Sequence, residues 1–302
     1  MRAGPGRRLT SVLTTIALIL VSAVAGVVAT PAPPAEAQSV PTIVAIRAAH
    51  HPGYDRIVFE FDREKAPRAT VSYVSKLIGD FSGEVVPVPG RAVIRVILRD
   101  AQAHTDFGDP TVDTNQAFAL PNIMALRNAG DFEAVVTLGI GVAMKRSFHV
   151  HRLTKPGRIA IDVRTNFSRT TRKVYFQDLA NFQVGKEPYV RAVLRPVPDA
   201  YPAKGLLDRI FAGPTNKEWS QGLRLVTSQA TGHKKVSVRS KVARLSLAGG
   251  CDSGGSTFTI ANEIMPTLRR LKNVSWVKIY DTKGRTETPR GRSDSIPECL
   301  EP

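Results

Sequence analysis

Two histidine pairs have the residue type and spacing that metal chemistry requires. His149 and His151 are two positions apart in an alternating segment, so both imidazoles lie on one face of a predicted strand. Such a pair can begin a zinc site, but zinc needs further ligands and no spacing in the chain supplies a third. His50 and His51 lie side by side at a turn. We predict partly exposed histidines on strands, with no metal and no cofactor.

A serine-containing loop is the feature nearest to hydrolytic chemistry. The run Cys251-Asp252-Ser253-Gly254-Gly255 differs by one residue from the G-D-S-G-G nucleophile loop of chymotrypsin-like proteases, and Ala48-Ala49-His50 resembles their histidine motif. The proteases need glycine where Cys251 stands, because that backbone amide helps to form the oxyanion hole, and no aspartate motif is present to orient His50. We predict a non-catalytic loop that leads into a helix capped by Ser256 or Asp252.

Cys251 and Cys299 are the two cysteines of the chain. An even number in an oxidising compartment predicts one disulfide. Closing a loop of nearly fifty residues would stabilise the fold by about 4 kcal/mol in the chain-entropy model. A metal or redox role is disfavoured because the chain has no C-x-x-C motif and no histidine near either thiol.

Residues 1–37 have the pattern of a signal peptide. Basic Arg2, Arg7 and Arg8 precede an apolar run, and Ala35-Glu36-Ala37 is an A-x-A cleavage pattern. We predict export by general secretion and cleavage near Ala37, which gives a secreted protein of the cell envelope. Alternatively, the twin-arginine route exports the chain, or the uncleaved segment anchors it in the membrane, since the run is about long enough to span a bilayer.

The remaining 265 residues carry 39 Lys and Arg against 25 Asp and Glu, a net charge of +14. The basic surplus is four in residues 38–171 and ten in residues 172–302. Such a field favours anionic partners, although a basic surface for solubility explains the charge equally well. Export and the lack of a reading motif exclude nucleic acid. Trp219 is a candidate for stacking on sugar rings, whereas Trp276 is predicted to be packed. The candidate residues for binding an anionic polymer cluster at a predicted hairpin turn: Lys234, Lys235, Arg239 and Lys241.

Residues 42–166 have the alternating pattern of an antiparallel β-sandwich or open barrel. Tyr54 to Phe61, Phe148 to Leu153 and Arg158 to Val163 resemble the strands of actinobacterial AMIN-like domains. The resemblance implies an envelope β-domain, and AMIN domains themselves imply targeting to the cell wall. The predicted strands are Arg56–Phe61, Ala69–Tyr73, Ala92–Leu98, Glu133–Ile140, Ser147–Arg152 and Arg158–Val163.

Residues 173–302 have an α+β pattern, with two helices on one sheet. The helices are predicted at Lys204–Phe211 and Thr257–Leu271, the second interrupted by Pro266. Five segments of this part occur in a distinctive order: Tyr175-Phe176, Leu207 to Thr215, Val236 to Leu247, Ile264 to Ile279 and Asp294 to Pro302. Together they resemble the GerMN domain of sporulation and germination proteins, which implies a non-catalytic envelope module. The chain departs from the family at Pro266 and Arg269-Arg270.

The sequence therefore predicts a mostly β, non-enzymatic envelope protein with an AMIN-like domain followed by a GerMN domain. Its expected partner is cell-wall glycan, another anionic envelope polymer or an envelope protein. It would contact a membrane only if the signal segment is retained. The alternative is an envelope hydrolase or a regulator of a cell-wall hydrolase.

Overall fold

The computed structural model of the chain describes residues 40–302, so the expected signal peptide lies outside the described residues. Val40–Pro302 form one compact unit, which contains two large hydrophobic cores, one built from residues 43–163 and one from residues 174–300. Within this described part, no helix has both the length and the apolar character needed to cross a bilayer.

The first core lies between two four-stranded antiparallel sheets, ordered β1-β2-β10-β9 and β3-β6-β8-β7. Both sheets contribute buried side chains to that core, so the predicted sandwich is confirmed. The two short strands β4 and β5 pair with each other outside these sheets. The strands are β1 (Ile43–His51), β2 (Tyr54–Phe61), β3 (Arg68–Val74), β4 (Leu77–Ile78), β5 (Val85–Val86), β6 (Ala92–Arg99), β7 (Ile123–Phe132), β8 (Val135–Val142), β9 (Phe148–Leu153) and β10 (Arg158–Arg164).

Strict alternation is the reason that β2 was predictable. Ile57, Phe59 and Phe61 are buried, and the residues between them are only partly buried, which is the period of two of a half-buried strand. Strands β1 and β7 were not predicted from the sequence. Strand β1 has little buried surface, whereas β7 begins with four consecutive buried residues, so neither shows that alternation.

The second core belongs to an α+β arrangement, as predicted, but its details differ. It has two three-stranded sheets, ordered β12-β11-β13 and β14-β15-β16, and the pair β15–β16 is parallel. The elements are β11 (Arg169–Asp178), α1 (Leu179–Gln183), β12 (Val190–Pro198), α2 (Pro202–Ala212), α3 (Asn216–Ser220), β13 (Leu223–Arg224), β14 (Ala230–Arg239), β15 (Val242–Gly249), α4 (Ile260–Leu268) and β16 (Trp276–Tyr280), with a 3₁₀ turn at Glu298–Leu300.

The two longer helices, α2 and α4, contact strands of both sheets, which corrects the prediction that they lie on one sheet. Helix α2 contacts β11, β12 and β14, and α4 contacts β11 and β16. The apolar faces of both helices are buried in the same core, with Leu206 and Ile210 from α2 and Ile264 and Leu268 from α4 at 0% exposure. Burial on both sheets is possible because each helix is apolar over a broad face.

Helix α4 is shorter than predicted and begins differently. It starts at Ile260, Pro266 lies inside it, and it ends two residues later at Leu268. The predicted cap by Ser256 or Asp252 is wrong. Instead, the Asn262 side chain accepts a hydrogen bond from the Thr259 backbone N–H at 2.8 Å, as in the reciprocal half of a capping box.

The predicted disulfide between Cys251 and Cys299 is present. It links the segment after β15 to the 3₁₀ turn near the C-terminus, and it closes a loop with a sequence separation of 48. The bond therefore holds the last residues of the chain against the second core, where Leu300 is buried.

Candidate functional site

The four basic residues predicted to cluster at the hairpin turn lie in two separate parts of the hairpin. Ser240 and Lys241 form the turn between β14 and β15, both with positive φ, and Arg239 pairs with Val242 beside them. Lys234 and Lys235 lie further back, where a bulge interrupts the pairing of the two strands. All four basic side chains are exposed.

The bulge of β14 places Lys234 beside residues that are distant in sequence. Two cavities, of about 430 and about 490 Å³, share Lys204, His233 and Lys234 as lining residues. Lys76 lines the first cavity together with the 85–90 segment, whereas Arg91 and Lys235 line the second. We call these two cavities the basic groove, and its five cations are Lys76, Arg91, Lys204, Lys234 and Lys235. Arg239 and Lys241 do not line it.

The charge of the basic groove is not neutralised by the protein. In residues 40–302 no carboxylate forms an ion pair with any of its five cations. The Arg91 guanidinium instead lies over the Tyr201 ring, 3.7 Å from the ring centroid. Like charges gathered in one concave surface focus a positive field on it. The groove is therefore suited to binding an anion that supplies the missing negative charge.

One carboxylate lines the basic groove, but its charge is directed at a histidine. Asp208 Oδ1 lies 2.8 Å from His233 Nε2, and both side chains are nearly buried, at 6% and 5% exposure. The other ring nitrogen, His233 Nδ1, is buried without a hydrogen-bond partner. The Asp208–His233 pair thus forms a buried polar wall of the groove and leaves the lysines uncompensated.

Trp219, the predicted sugar-stacking residue, is 53% exposed on α3. The Arg224 guanidinium lies 3.9 Å from the centroid of its ring, a cation–π contact. Trp276 is 36% exposed, so the prediction that it is packed is wrong. Trp276 is the first residue of β16. The next three residues of the strand are buried, but the Trp276 side chain is exposed.

A buried ion pair holds the short helix that carries Trp219. Arg195 is 2% exposed and forms a bidentate pair with the Glu218 carboxylate, with Nη1 at 2.8 Å from Oε1. Glu218 also accepts from the Thr215 N–H at 2.8 Å, and Thr215 caps the helix in return. Burial raises the pKa of Glu218, but the hydrogen bonds and the charge of Arg195 outweigh it and lower that pKa overall. No pattern in the sequence predicts this pair, because Arg195 and Glu218 lie 23 positions apart.

Trp219 lines a cavity of about 620 Å³ between the two core regions. Its polar lining includes Asp113 and Asn216, which are joined by a hydrogen bond of 3.1 Å, together with Asn115. Arg127 closes the cavity by donating to the Ala212 carbonyl at 3.1 Å, and burial lowers its pKa. An aromatic wall beside amides and a carboxylate provides a stacking surface and hydrogen bonds for hydroxyl groups.

The serine of the protease-like loop is hydrogen-bonded to the backbone of the C-terminal region. Ser253 Oγ donates to the Glu301 backbone carbonyl at 2.5 Å and accepts from the Gly255 N–H at 3.2 Å. His50 lies in the other core region, where its Nδ1 is 2.7 Å from Asp55. The buried Asp55 carboxylate in turn accepts from the backbone N–H of Ile123. The two motif segments therefore serve local structure in this conformation.

The strand histidines lie together, as their spacing predicts. The rings of His149 and His151 are 4.5 Å apart, and His151 Nε2 is 3.0 Å from Asp162. Asp162 is also held by a two-pronged contact with Arg56, at 2.6 and 2.7 Å. Across residues 40–302, no group of three or more His, Cys, Asp or Glu side chains is arranged to hold a metal ion.

Comparison with known proteins identifies one part of the chain. Residues 41–165 match the AMIN-like domain family, so the first sandwich is an AMIN-like domain. This agrees with the expected range of residues 42–166. Neither the curated proteins nor the solved structures gave a match. The resemblance of residues 173–302 to the GerMN domain stays a prediction.

Proposed function

We propose that this protein is a secreted, non-catalytic component of the cell envelope that binds anionic cell-wall polymer in the basic groove. The observation that carries the proposal is the convergence of five cations, from both core regions, on one groove without a carboxylate partner. The non-catalytic part is supported by the positions of Ser253 and His50, which lie in different core regions and are hydrogen-bonded to Glu301 and Asp55 rather than to each other.

The AMIN-like domain supports an extracytoplasmic location at the cell envelope. The expected signal peptide and the resemblance of residues 173–302 to the GerMN domain point in the same direction. In that compartment, wall polymers that carry phosphate or carboxylate groups are abundant polyanions. The net charge of +14 for residues 38–302 brings such polymers to the protein by long-range attraction.

The groove suits a flexible polymer better than a small rigid anion. Four of its five cations are lysines, whose flexible ammonium groups act as adaptable point charges, whereas arginine favours planar two-pronged contacts. The two cavities share three residues, so successive charged units of one chain can occupy them in turn. Single exposed charge pairs contribute at most about 1 kcal/mol each, so affinity would come from several units bound together.

The Trp219 cavity favours a second candidate ligand, neutral glycan. Stacking of a sugar ring on Trp219 buries apolar surface, and the side chains of Asp113, Asn115 and Asn216 can hydrogen-bond to its hydroxyl groups. This contact does not depend on net charge. Salt therefore separates the two candidates, because ions screen the groove but leave stacking largely unchanged.

The test is binding of the chain without residues 1–37 to purified cell-wall sacculi, at about 0.15 M and about 1 M salt, where the Debye length falls from about 8 to about 3 Å. We expect binding that is lost at the higher salt and retained by Trp219→Ala. Binding that survives salt and is lost on Trp219→Ala would replace the groove with the glycan site. Failure of the wild-type protein to bind at either salt concentration would refute wall binding.

A further inference from the structure

Three phenylalanines of the AMIN-like domain are largely exposed, each in a loop or at the end of a strand. Phe81 is 99% exposed between β4 and β5, and Phe107 is 94% exposed in the loop after β6. Phe132 is 70% exposed at the turn between β7 and β8. Exposed apolar side chains that lie together mark interaction sites, whereas isolated ones are ordinary.

Backbone hydrogen bonds bring the three loops to one end of the sandwich. The Asp80 N–H donates to the Ala129 carbonyl at 2.8 Å, which ties the Phe81 loop to the end of β7. The Ala101 N–H donates to the Ala134 carbonyl at 3.0 Å, and the Ala103 N–H donates to Asp131 Oδ2 at 3.0 Å. The loops that carry Phe81 and Phe107 are therefore both attached to the segment 129–134, which carries Phe132.

The loop tips are also closed internally. The Gly83 N–H donates to the Gly79 carbonyl at 2.9 Å, and the Thr105 N–H donates to the Asp109 carbonyl at 2.8 Å. The phenylalanines are thus presented on loops whose backbone is already hydrogen-bonded. Such preorganisation reduces the ordering that a partner must impose on binding.

The same loops are acidic, although the chain as a whole is basic. The segments 79–84, 100–110 and 129–134 hold two, three and two Asp or Glu residues and no Lys or Arg. Arg68 pairs with Asp100 from outside them. The described residues offer no Lys or Arg partner to the other five exposed carboxylates. We call the aromatic cap the set formed by Phe81, Phe107 and Phe132 with Asp80, Glu84, Asp106, Asp109 and Glu133.

We propose that the aromatic cap is a docking surface for a protein partner that presents lysine or arginine beside apolar side chains. Charge complementarity selects a cationic partner, and the three phenylalanines supply the apolar centre that such an interface needs. Each phenylalanine can bury about 150 to 250 Å², so together they would provide most of the roughly 800 Å² that one partner contributes to a standard interface.

An anionic bilayer fits the aromatic cap less well than a cationic protein does. Exposed aromatic tips can enter a membrane interface, but five carboxylates beside them would be brought against a negative surface potential. The cap is also distinct from the basic groove, which attracts the opposite charge. An experiment can therefore refute docking at the aromatic cap without refuting wall binding at the basic groove, and it can refute wall binding without refuting docking.

The test uses the chain from residue 38 and a fluorescent peptide of alternating lysine and leucine, with a lysine–glycine peptide of equal charge as its control. We expect the lysine–leucine peptide to bind at least about tenfold more tightly than the control, since a central apolar anchor is worth about 1.4 kcal/mol or more. The triple variant Phe81→Ala, Phe107→Ala, Phe132→Ala should lose this preference. The matched variant Val184→Ala, Leu194→Ala, at residues that are 74% and 60% exposed elsewhere, should keep it.

Every other result overturns the proposal. Equal binding of both peptides, or a preference that survives the triple variant, would mean that the phenylalanines are not the anchor. Binding to anionic lipid vesicles that depends on the phenylalanines would assign the cap to a membrane. Self-association in sedimentation experiments that the triple variant abolishes would make a second copy the occupant. All cap substitutions are at exposed positions, and thermal unfolding would verify that the variants remain folded.

Discussion

Arg209 in α2 donates a hydrogen bond of 2.6 Å to the backbone carbonyl of Leu120, which belongs to the AMIN-like domain. The same guanidinium, at 0% exposure, donates to the carbonyls of Phe118 and Pro121 in that loop and of Pro196 in β12. Burial, together with the nearby charge of Arg195, lowers the pKa of Arg209 to about 9, so the group still carries its proton at neutral pH. One buried cation thus joins the two core regions through backbone acceptors.

Replacing Arg209 should therefore destabilise the whole unit. Arg209→Met keeps much of the side-chain volume but leaves one buried and three partly buried carbonyls without this donor, and the loss at a buried acceptor costs about 1 to 3 kcal/mol. We expect the free energy of unfolding to fall by at least about 3 kcal/mol in urea denaturation. Arg239→Met, at an exposed position of the hairpin, is the control and should change it by no more than about 0.5 kcal/mol. A similar small change for Arg209→Met would show that the link is dispensable.

The burial of the Glu263 carboxyl leads to a second prediction, which is a pH-dependent effect on stability. Its Oε1 accepts from the Gln177 N–H at 3.0 Å and from the Val226 N–H at 3.2 Å, and its Oε2 is buried without a partner. Burial raises the pKa of the Glu263 carboxyl well above its ordinary value of 4.5, against the opposing effect of the two N–H donors. The folded state therefore binds this proton more strongly than the unfolded state does.

The sign of the pH effect follows from that raised pKa. The contribution of Glu263 to the free energy of unfolding is fully present below pH 4.5 and is lost as the pH rises towards the pKa of the folded state. The slope is at most about 1.4 kcal/mol per pH unit. Glu263→Gln removes the titration, so its stability should depend less on pH than that of the wild type. Glu64→Gln, at an exposed position, should keep the wild-type slope, and an unchanged slope in Glu263→Gln would contradict this account.

Loss of the disulfide should weaken the C-terminal region. The chain-entropy model gives a loss of about 4 kcal/mol in the free energy of unfolding for Cys251→Ser with Cys299→Ser. The sheets of the AMIN-like domain should stay folded, which backbone amide exchange of β2 and β8 would show. Thiol titration of the native wild-type protein should find no free cysteine. Finding two would contradict the bond between Cys251 and Cys299.

The sequence predicted those elements whose apolar residues repeat with the period of a strand or a helix. The alternation of Tyr54 to Phe61 and the apolar spacing of Lys204 to Phe211 each correspond to an element of the structure. Strand β1 was missed because packing against β2, rather than its own alternation, makes it a strand. Helix α4 begins later than its apolar pattern because Asn262 caps it at Thr259, and it ends two residues after Pro266.

The candidate sites were predictable only in part, since they depend on contacts between distant residues. Lys234 and Lys235 stand together in the sequence and were identified as a basic cluster. Lys204 joins them because α2 packs against β14, and Lys76 and Arg91 join them because the two core regions pack against each other. No local pattern indicates either contact. The aromatic cap is a similar case, because its phenylalanines are at least 25 positions apart in the sequence.

The most direct test of wall binding compares two fourfold variants that lower the net charge equally. In the groove variant, glutamine replaces Lys76, Lys204, Lys234 and Lys235. In the control variant, glutamine replaces four exposed lysines elsewhere, namely Lys65, Lys173, Lys186 and Lys283. The measurement is the dissociation constant for purified sacculi at about 0.15 M salt, where exposed charges still act over about 8 Å.

Our account predicts that the groove variant binds at least about tenfold more weakly than the control, which corresponds to about 1.4 kcal/mol shared by four lost contacts. The control variant should stay close to the wild type, because its lysines lie outside the groove. Equal weakening of the two variants would contradict the account, since net charge alone, and not the basic groove, would then determine binding.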